Sequence, residues 1–434
     1  MRWQSARLIG AQALGQLSLV AVIPVLTRHY DPGVFGAYQL ALAAATLVQP
    51  VATLRIELVL PATRADDRVR TLLRRAVAST LAVTGGFVAA CTYLALTGRA
   101  DAALMTAMAA TLVLVYGWVS IDNARLIRAQ QVQALATRNL VAGLLSAVLQ
   151  VGVALAGLQV VWLAAAVGIG RGVAVLLTRP RRAVAAPQPE DTFDLPFGGA
   201  RAVRTVLSGL LSSTVLQLLM LVSGGFLGAA AAGYVGAAQR VTGAPASLIG
   251  QGVAQAVQVR FSRALLTGTS LLAEVRAVGR ALAALSVTVA VGLALVAPLG
   301  SDWFFGPGWE PVKDVLRLLA LPVALQLLVA PLNPLLVMIG AERALLRVQA
   351  GRLALSGGAS AAAAAATGSL TTVVAVFAAT TVVAYLGNLA VVVHQVRAHD
   401  ATTLQQTPPA PATGHETVPA LGAVHAAERT EGTR

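Results

Sequence analysis

Acidic residues are scarce: 18 Asp and Glu stand against 32 Lys and Arg in 434 residues. Cysteine occurs once, as Cys91, so the chain has no internal disulfide. A lone thiol in an apolar run reads as buried and inert. The five histidines form no cluster, and with so few carboxylates no metal site is expected. No phosphate-binding loop, catalytic triad or metalloprotease motif is present, which argues against nucleotide hydrolysis and against a cofactor. Carboxylates are also too sparse to build a metal-dependent membrane transferase. Charged residues of both signs make up 12% of the chain, against about 25% in soluble domains. The formal charge of +14 suggests nucleic acid at first sight. The arginines form no single basic face, however, and no nucleic-acid reading module occurs, so nucleic acid is not expected as a partner.

What the chain has in quantity is apolar sequence, at 57%. Twelve apolar stretches approach or exceed the ~20 residues needed to cross a bilayer. They fall near 7–27, 36–60, 72–97, 101–121, 139–158 and 160–178, then near 203–226, 230–257, 279–299, 313–340, 345–367 and 370–394. Arg2 and Arg7 precede the first stretch, which is too long for a signal-peptide core and reads as an uncleaved span. Every second joint is rich in arginine: Arg64, Arg68, Arg70, Arg74 and Arg75; Arg125, Arg128 and Arg138; Arg179, Arg181 and Arg182. The pattern continues with Arg260, Arg263, Arg276 and Arg280; Arg343, Arg347 and Arg352; and Arg397. Such joints stay in the cytoplasm and attract anionic lipid. Both termini are therefore expected inside. The eighth span is the least apolar. Gln239, Arg240, Gln251, Gln255 and Gln258 give it a polar face, expected to turn into the bundle.

The longest break, residues 179–202, is rich in Pro and charge. It divides residues 1–178 from residues 203–397, six spans from six, a plan common in transporters. From 398 to 434 the chain is rich in Pro, Thr, Ala and charge without an aromatic residue, so a disordered tail is expected.

Ionisable residues inside spans are the candidate functional positions. Arg240 stands beside Gly243 and Pro245, where a broken helix suggests a hydrated anion site. Gln239 is its neighbour. Arg171 lies between glycines in GIGRGVAVLLT. Arg55 and Glu57 sit near one end of the second span. Two residues apart on a helix, they do not face each other, so each is expected to find a separate partner. Arg28 ends the first span at the turn Asp31-Pro32-Gly33. Tyr30, Phe35 and Tyr38 suit the interfacial belt, and Trp303, Phe304, Phe305 and Trp309 read as a lipid-contacting loop.

Several of these segments resemble the oligosaccharide flippases of bacterial polysaccharide synthesis. They include IPVLTRHYDPGVFGAYQLALAAATLVQPVATLRIELVLPATRADD and YGWVSIDNARLIRAQQVQALATRNLVAGLLSAVLQ. In the second half they include FLGAAAAGYVGAAQRVTGAPASLIGQGVAQAV and FFGPGWEPVKDVLRLLALPVALQLLVAPLNPLLVMIGAERALL. The resemblance covers roughly residues 5–395. It implies the fold of the multidrug/oligosaccharidyl-lipid/polysaccharide exporter superfamily: all-α, twelve transmembrane helices in two lobes of six. Arg55-Ile56-Glu57 resembles a family signature that commonly has an aromatic at the middle position. Gln239-Arg240-Val241 matches a further family segment.

The resemblance further implies a transporter in the bacterial inner membrane, not an enzyme. Its cargo would be a polyprenyl-pyrophosphate-linked glycan moved between leaflets, with membrane lipids, a polysaccharide polymerase and glycosyltransferases as partners. Arg240, Arg55, Arg171, Arg28 and Gln239 are then the expected substrate-binding residues, and Glu57 a coupling or ion-network residue. A cation-coupled multidrug exporter and a non-transporting assembly scaffold are the alternative readings.

Overall fold

A computed structural model describes residues 17–60, 66–129, 131–178, 199–243 and 269–406, with the isolated positions 10, 14, 15, 63, 257, 260, 261 and 264. Among the described residues every regular element is helical. In chain order these are α1 (Leu17–His29), α2 (Pro32–Ala52), α3 (Ile56–Val59), α4 (Asp66–Leu96), α5 (Ala100–Arg128), α6 (Val132–Leu155) and α7 (Val161–Leu177). The second half contains α8 (Gly199–Leu227), α9 (residues 229–243), α10 (Leu271–Val291), α11 (Ala297–Phe305), α12 (Pro311–Val329), α13 (Asn333–Met338), α14 (Glu342–Thr367) and α15 (Leu370–Gln406).

Among the described residues, eight helical segments are long and apolar enough to cross a bilayer, and Leu17–His29 and Val161–Leu177 are shorter apolar helices. The chain is a multi-pass membrane protein. Helix occurs at each of the twelve expected positions. α14 is less apolar than the eight, because Arg343, Arg347 and Arg352 and the polar or small residues Ser356, Gly357, Gly358 and Ser360 interrupt it.

The helix ends follow local chemistry. Asp31 caps α2 by accepting from the Val34 N–H at 2.9 Å, with Pro32 at the first helical position. α14 stops at Gly368, whose φ of 60° is left-handed. Hydroxyls within the spans turn back on their own helix, as Thr46 Oγ1 does to the Leu42 carbonyl at 3.0 Å. In lipid no water satisfies such a group. α10 runs through a single π turn, Gly292–Val296, into α11.

Helix packing falls into two groups. α2 packs on α4 and α5, α5 on α4 and α7, and α6 on α1 and α7. In the other half α14 packs on α8 and α15, and α12 on α10 and α15. The halves meet where α2 runs along α8 and where α11 reaches α1. α2 also approaches α9 backbone to backbone. A Cβ on Gly36 would lie 1.7 Å from the Ala229 carbonyl oxygen, and one on Gly233 2.0 Å from that of Pro32. Small residues permit this approach, as in other membrane helix pairs.

Two expectations are corrected here. The second span does not run to residue 60: α2 ends at Ala52, and Leu54 and Arg55 both take positive φ (52° and 53°) before α3 begins. α15 continues to Gln406, past residue 398, so the start of the expected tail is helical. Asp400 on that helix accepts from the Ser270 hydroxyl and the Leu271 and Leu272 N–H groups at 2.8–3.1 Å, capping α10. The inter-half segment 179–198, Pro245, the glutamines at 251, 255 and 258, and residues 407–434 lie outside the described residues.

Candidate functional site

One end of the bundle is closed by contacts between the halves. Trp309 Nε1 donates to the Thr27 carbonyl at 2.8 Å. Its ring meets Phe35 and Tyr234 edge to face, with centroids 5.5 and 5.8 Å apart, and stacks near Phe305. Arg28 donates to the Phe304 carbonyl at 3.2 Å and to the Trp303 carbonyl, the last carbonyls of α11. A cation suits a helix C-terminus, where carbonyls lack partners. Beside them Glu310 is held below the usual carboxylate range by its own N–H and that of Gly308, which donates at 3.0 Å. Trp309, Phe305, Phe35 and Tyr38 are fully buried and only Trp303 is widely exposed. The expected lipid-facing aromatic loop and interfacial belt are therefore, in the main, a seam between the two halves.

A cavity of about 440 Å³ lies between the halves on the far side of this seam. α2 contributes Gln39, Thr46 and Gln49, α5 Tyr116, Ser120 and Asn123, α7 Arg171, α8 Gln217, and α9 Gln239 and Arg240. A second space of about 240 Å³ shares Tyr116, Arg171, Gln239 and Arg240 with it and adds Ser146 and Gln150 from α6. The two are compartments of one site, and both arginines look into each. The buried atoms Gln39 Oε1, Ser146 Oγ and Gln150 Oε1 have no hydrogen-bond partner among the described residues.

Each arginine rests on an aromatic face. The Arg171 guanidinium carbon is 4.4 Å from the Tyr116 ring centroid. That of Arg240 is 5.3 Å from Phe35 and 5.2 Å from Tyr38. Among the described residues neither has a carboxylate within ion-pair distance, and none of those lining the cavity is Asp or Glu. A ring attracts a guanidinium by about 0.5–2 kcal/mol. It orients the cation without neutralising it. The arrangement is electrostatically complementary to an anion.

A third cavity of about 410 Å³ sits within the C-terminal half and shares Gln217, Gln239 and Gly243 with the first two. Arg352 lines it from α14, its guanidinium carbon 4.3 Å from the Tyr385 ring centroid. Sequence reasoning placed Arg352 in a joint, but it stands ten residues beyond Glu342, where α14 begins, about 15 Å along the axis. Counting helical residues from the joint was the signal that could have found it.

The structure brings together Arg171, Arg240 and Gln239. It places Arg28 in the closed end and Arg55 at the break after α2. Arg55 and Glu57 do pair, contrary to expectation, with Nε and Oε1 3.8 Å apart. The left-handed backbone at Leu54 and Arg55 removes the helical geometry that would keep them on different faces. Arg55 also packs on Gly209 of α8, where a Cβ would lie 2.9 Å from its Cδ. Arg138, expected in a cytoplasmic joint, is buried. It pairs with Asp122 at 2.5 Å and donates to Thr178 Oγ1, the Thr178 carbonyl and Asn123 Oδ1 at 2.8–3.1 Å. This network ties α5, α6 and the end of α7 together behind the cavity wall. Cys91 is half-buried, with Sγ 3.3 Å from the Ala103 carbonyl.

Residues 25–314 match a family model described as polysaccharide biosynthesis protein. The chain belongs to this family. No curated protein matches it. Among solved structures, the lipid II flippase MurJ in an inward closed conformation has a TM-score of 0.66 at 10% identity, covering 93% of this chain and 91% of that one. An inward-facing multidrug resistance MATE family transporter of the MOP superfamily has a TM-score of 0.60 at 15% identity, covering 92% and 96%. A MOP superfamily transporter from Pyrococcus furiosus Vc1, described as having a binding pocket of reversed polarity, has a TM-score of 0.54 at 14% identity, covering 92% and 96%. The polysaccharide biosynthesis chain thus has the MOP-superfamily transporter fold.

Proposed function

We propose that the chain moves a polyprenyl-pyrophosphate-linked oligosaccharide from the inner to the outer leaflet of a bacterial inner membrane. The cargo's phosphates are held by Arg171 and Arg240 while its lipid tail stays in the bilayer. The observation that carries this reading is the pair of ring-backed arginines, without a carboxylate partner or a carboxylate in the cavity lining among the described residues. A pyrophosphate entering a low-dielectric space needs compensating charge, and the guanidinium fork matches phosphate oxygens. Gln39, Ser146 and Gln150 supply neutral partners for hydroxyl groups. Family membership and the flippase-like fold support the same class of cargo. A cation exporter would instead call for acidic lining residues, and the nearest buried carboxylate, Asp122, is already paired with Arg138.

In this proposal the closed end, with Arg28, Trp309 and Glu310, faces outward and both termini are cytoplasmic. Residues 1–178 and 203–397 act as the two lobes of an alternating-access cycle that involves no catalysis by this chain. Arg55 and Glu57 form a structural pair at the break after α2, against Gly209 of α8. A polymerase and glycosyltransferases supply and consume the cargo.

Deleting the gene from its own cell tests the reading. Lipid-linked oligosaccharide is expected to accumulate on the cytoplasmic leaflet, and the wild-type gene should clear it. A gene carrying both Arg171→Gln and Arg240→Gln should not. An unchanged pool in the deletion, or full clearance by the double variant at normal membrane level, would contradict it.

A further inference from the structure

The cavity in the C-terminal half has its own cation. Arg352 enters it from α14, and Gln326 and Thr381 share the wall with Leu319, Val323 and Phe377. Tyr385, on which the guanidinium lies, is buried at 4% exposure. Its ring therefore backs the arginine and offers no open face on which a sugar could stack. No carboxylate lies within ion-pair distance of Arg352 among the described residues. Arg352 is half-buried. Withdrawing a cation even partly from water is costly unless it is paired, and its contacts with Tyr385 alone offset only part of that cost.

Gln217 and Gln239 line both this space and the central cavity, so the two adjoin at these side chains. The two amides are flexible side chains, and their displacement would let a molecule held at Arg171 and Arg240 reach Arg352. At about 410 Å³ the compartment falls within the ~300–1,000 Å³ range of small-molecule sites.

We propose that this compartment is a second anion subsite, which takes an acidic sugar of the glycan, of the uronic-acid class, while the phosphates of the same molecule occupy the central cavity. The proposal rests on the lipid-linked glycan reading above. A carboxylate presents two oxygens to the guanidinium fork of Arg352, and the amides and Thr381 meet the sugar hydroxyls. The central arginines then select the carrier, and the third arginine selects the glycan.

Binding to the purified full-length protein in nanodiscs tests this. Two probes are used: farnesyl-pyrophosphate-linked disaccharides, identical except that one ends in glucuronic acid and the other in glucose. The wild type is expected to bind the glucuronyl probe about tenfold more tightly, the scale of one charge-assisted hydrogen-bond pair. Arg352→Gln should abolish that preference, weakening the glucuronyl probe more than the glucosyl probe. Arg352→Lys should keep part of it. Arg240→Gln should weaken both probes and keep their ratio. Equal affinity of the wild type for the two probes would overturn the subsite, whatever the variants do, and so would a preference that survives in Arg352→Gln. If neither probe binds the wild type better than farnesyl phosphate alone, the lipid-linked glycan reading fails and the subsite with it.

Discussion

Trp309 Nε1 donates to the Thr27 carbonyl across 2.8 Å, so one indole ties the C-terminal half to the first helix of the N-terminal half. The bond is buried and the ring is held by Phe35, Tyr234 and Phe305. Trp309→Phe keeps most of the ring and removes the donor, leaving a buried carbonyl unmet at a cost of about 1–3 kcal/mol. The cost falls on the state closed at this end, so its population should drop. In a Cys91→Ser background, a cysteine at Gln239 should react faster with an impermeant maleimide applied from the Trp309 side. Unchanged labelling would show that the indole bond does not hold the end closed.

Arg138 and Asp122 form a buried pair that also anchors Asn123 and Thr178. Removing one partner of such a pair leaves an uncompensated charge, costing about 3–5 kcal/mol. Arg138→Ala should therefore lower the melting temperature sharply in detergent. The double change Arg138→Met with Asp122→Leu should recover much of that loss. Equal losses in the single and double variants would mean that burial of charge is not what the pair compensates.

Two truncations separate the cap from the tail. Ending the chain after Gln406 preserves Asp400 and should leave the melting temperature unchanged. Ending it after Arg397 removes the Asp400 contacts to the start of α10, leaving Ser270 as its N-cap, and should cost about 0.5–2 kcal/mol, as should Asp400→Ala. A loss already complete on ending the chain after Gln406, with none further on ending it after Arg397, would reverse this assignment.

The span positions and the two central arginines were legible because hydrophobicity and rare intramembrane charge are properties of single segments. Arg240 and Arg171 stand out in apolar runs with no help from the fold. What was not legible depends on contacts between segments. Phe35 and Tyr38 look like interfacial aromatics until α9 sets Arg240 against them. Asp122 and Arg138 lie in joint-like sequence, yet α5 and α6 extend far enough to bury them together. Arg55 and Glu57 would face apart on a continuous helix, and nothing in the local sequence marks the left-handed turn that brings them together.

The central claim is that unneutralised arginines carry the cargo's phosphates through the bundle. Its most direct measurement follows a fluorescent polyprenyl-pyrophosphate-linked oligosaccharide between leaflets of proteoliposomes, read by an impermeant quencher. Wild-type protein should speed movement well above protein-free vesicles. Arg240→Lys, which keeps charge but loses the planar fork, should slow it about tenfold. The folded double variant Arg171→Gln/Arg240→Gln should fall to the protein-free rate. Movement by that double variant at the wild-type rate, or no acceleration by the wild type, would contradict the account.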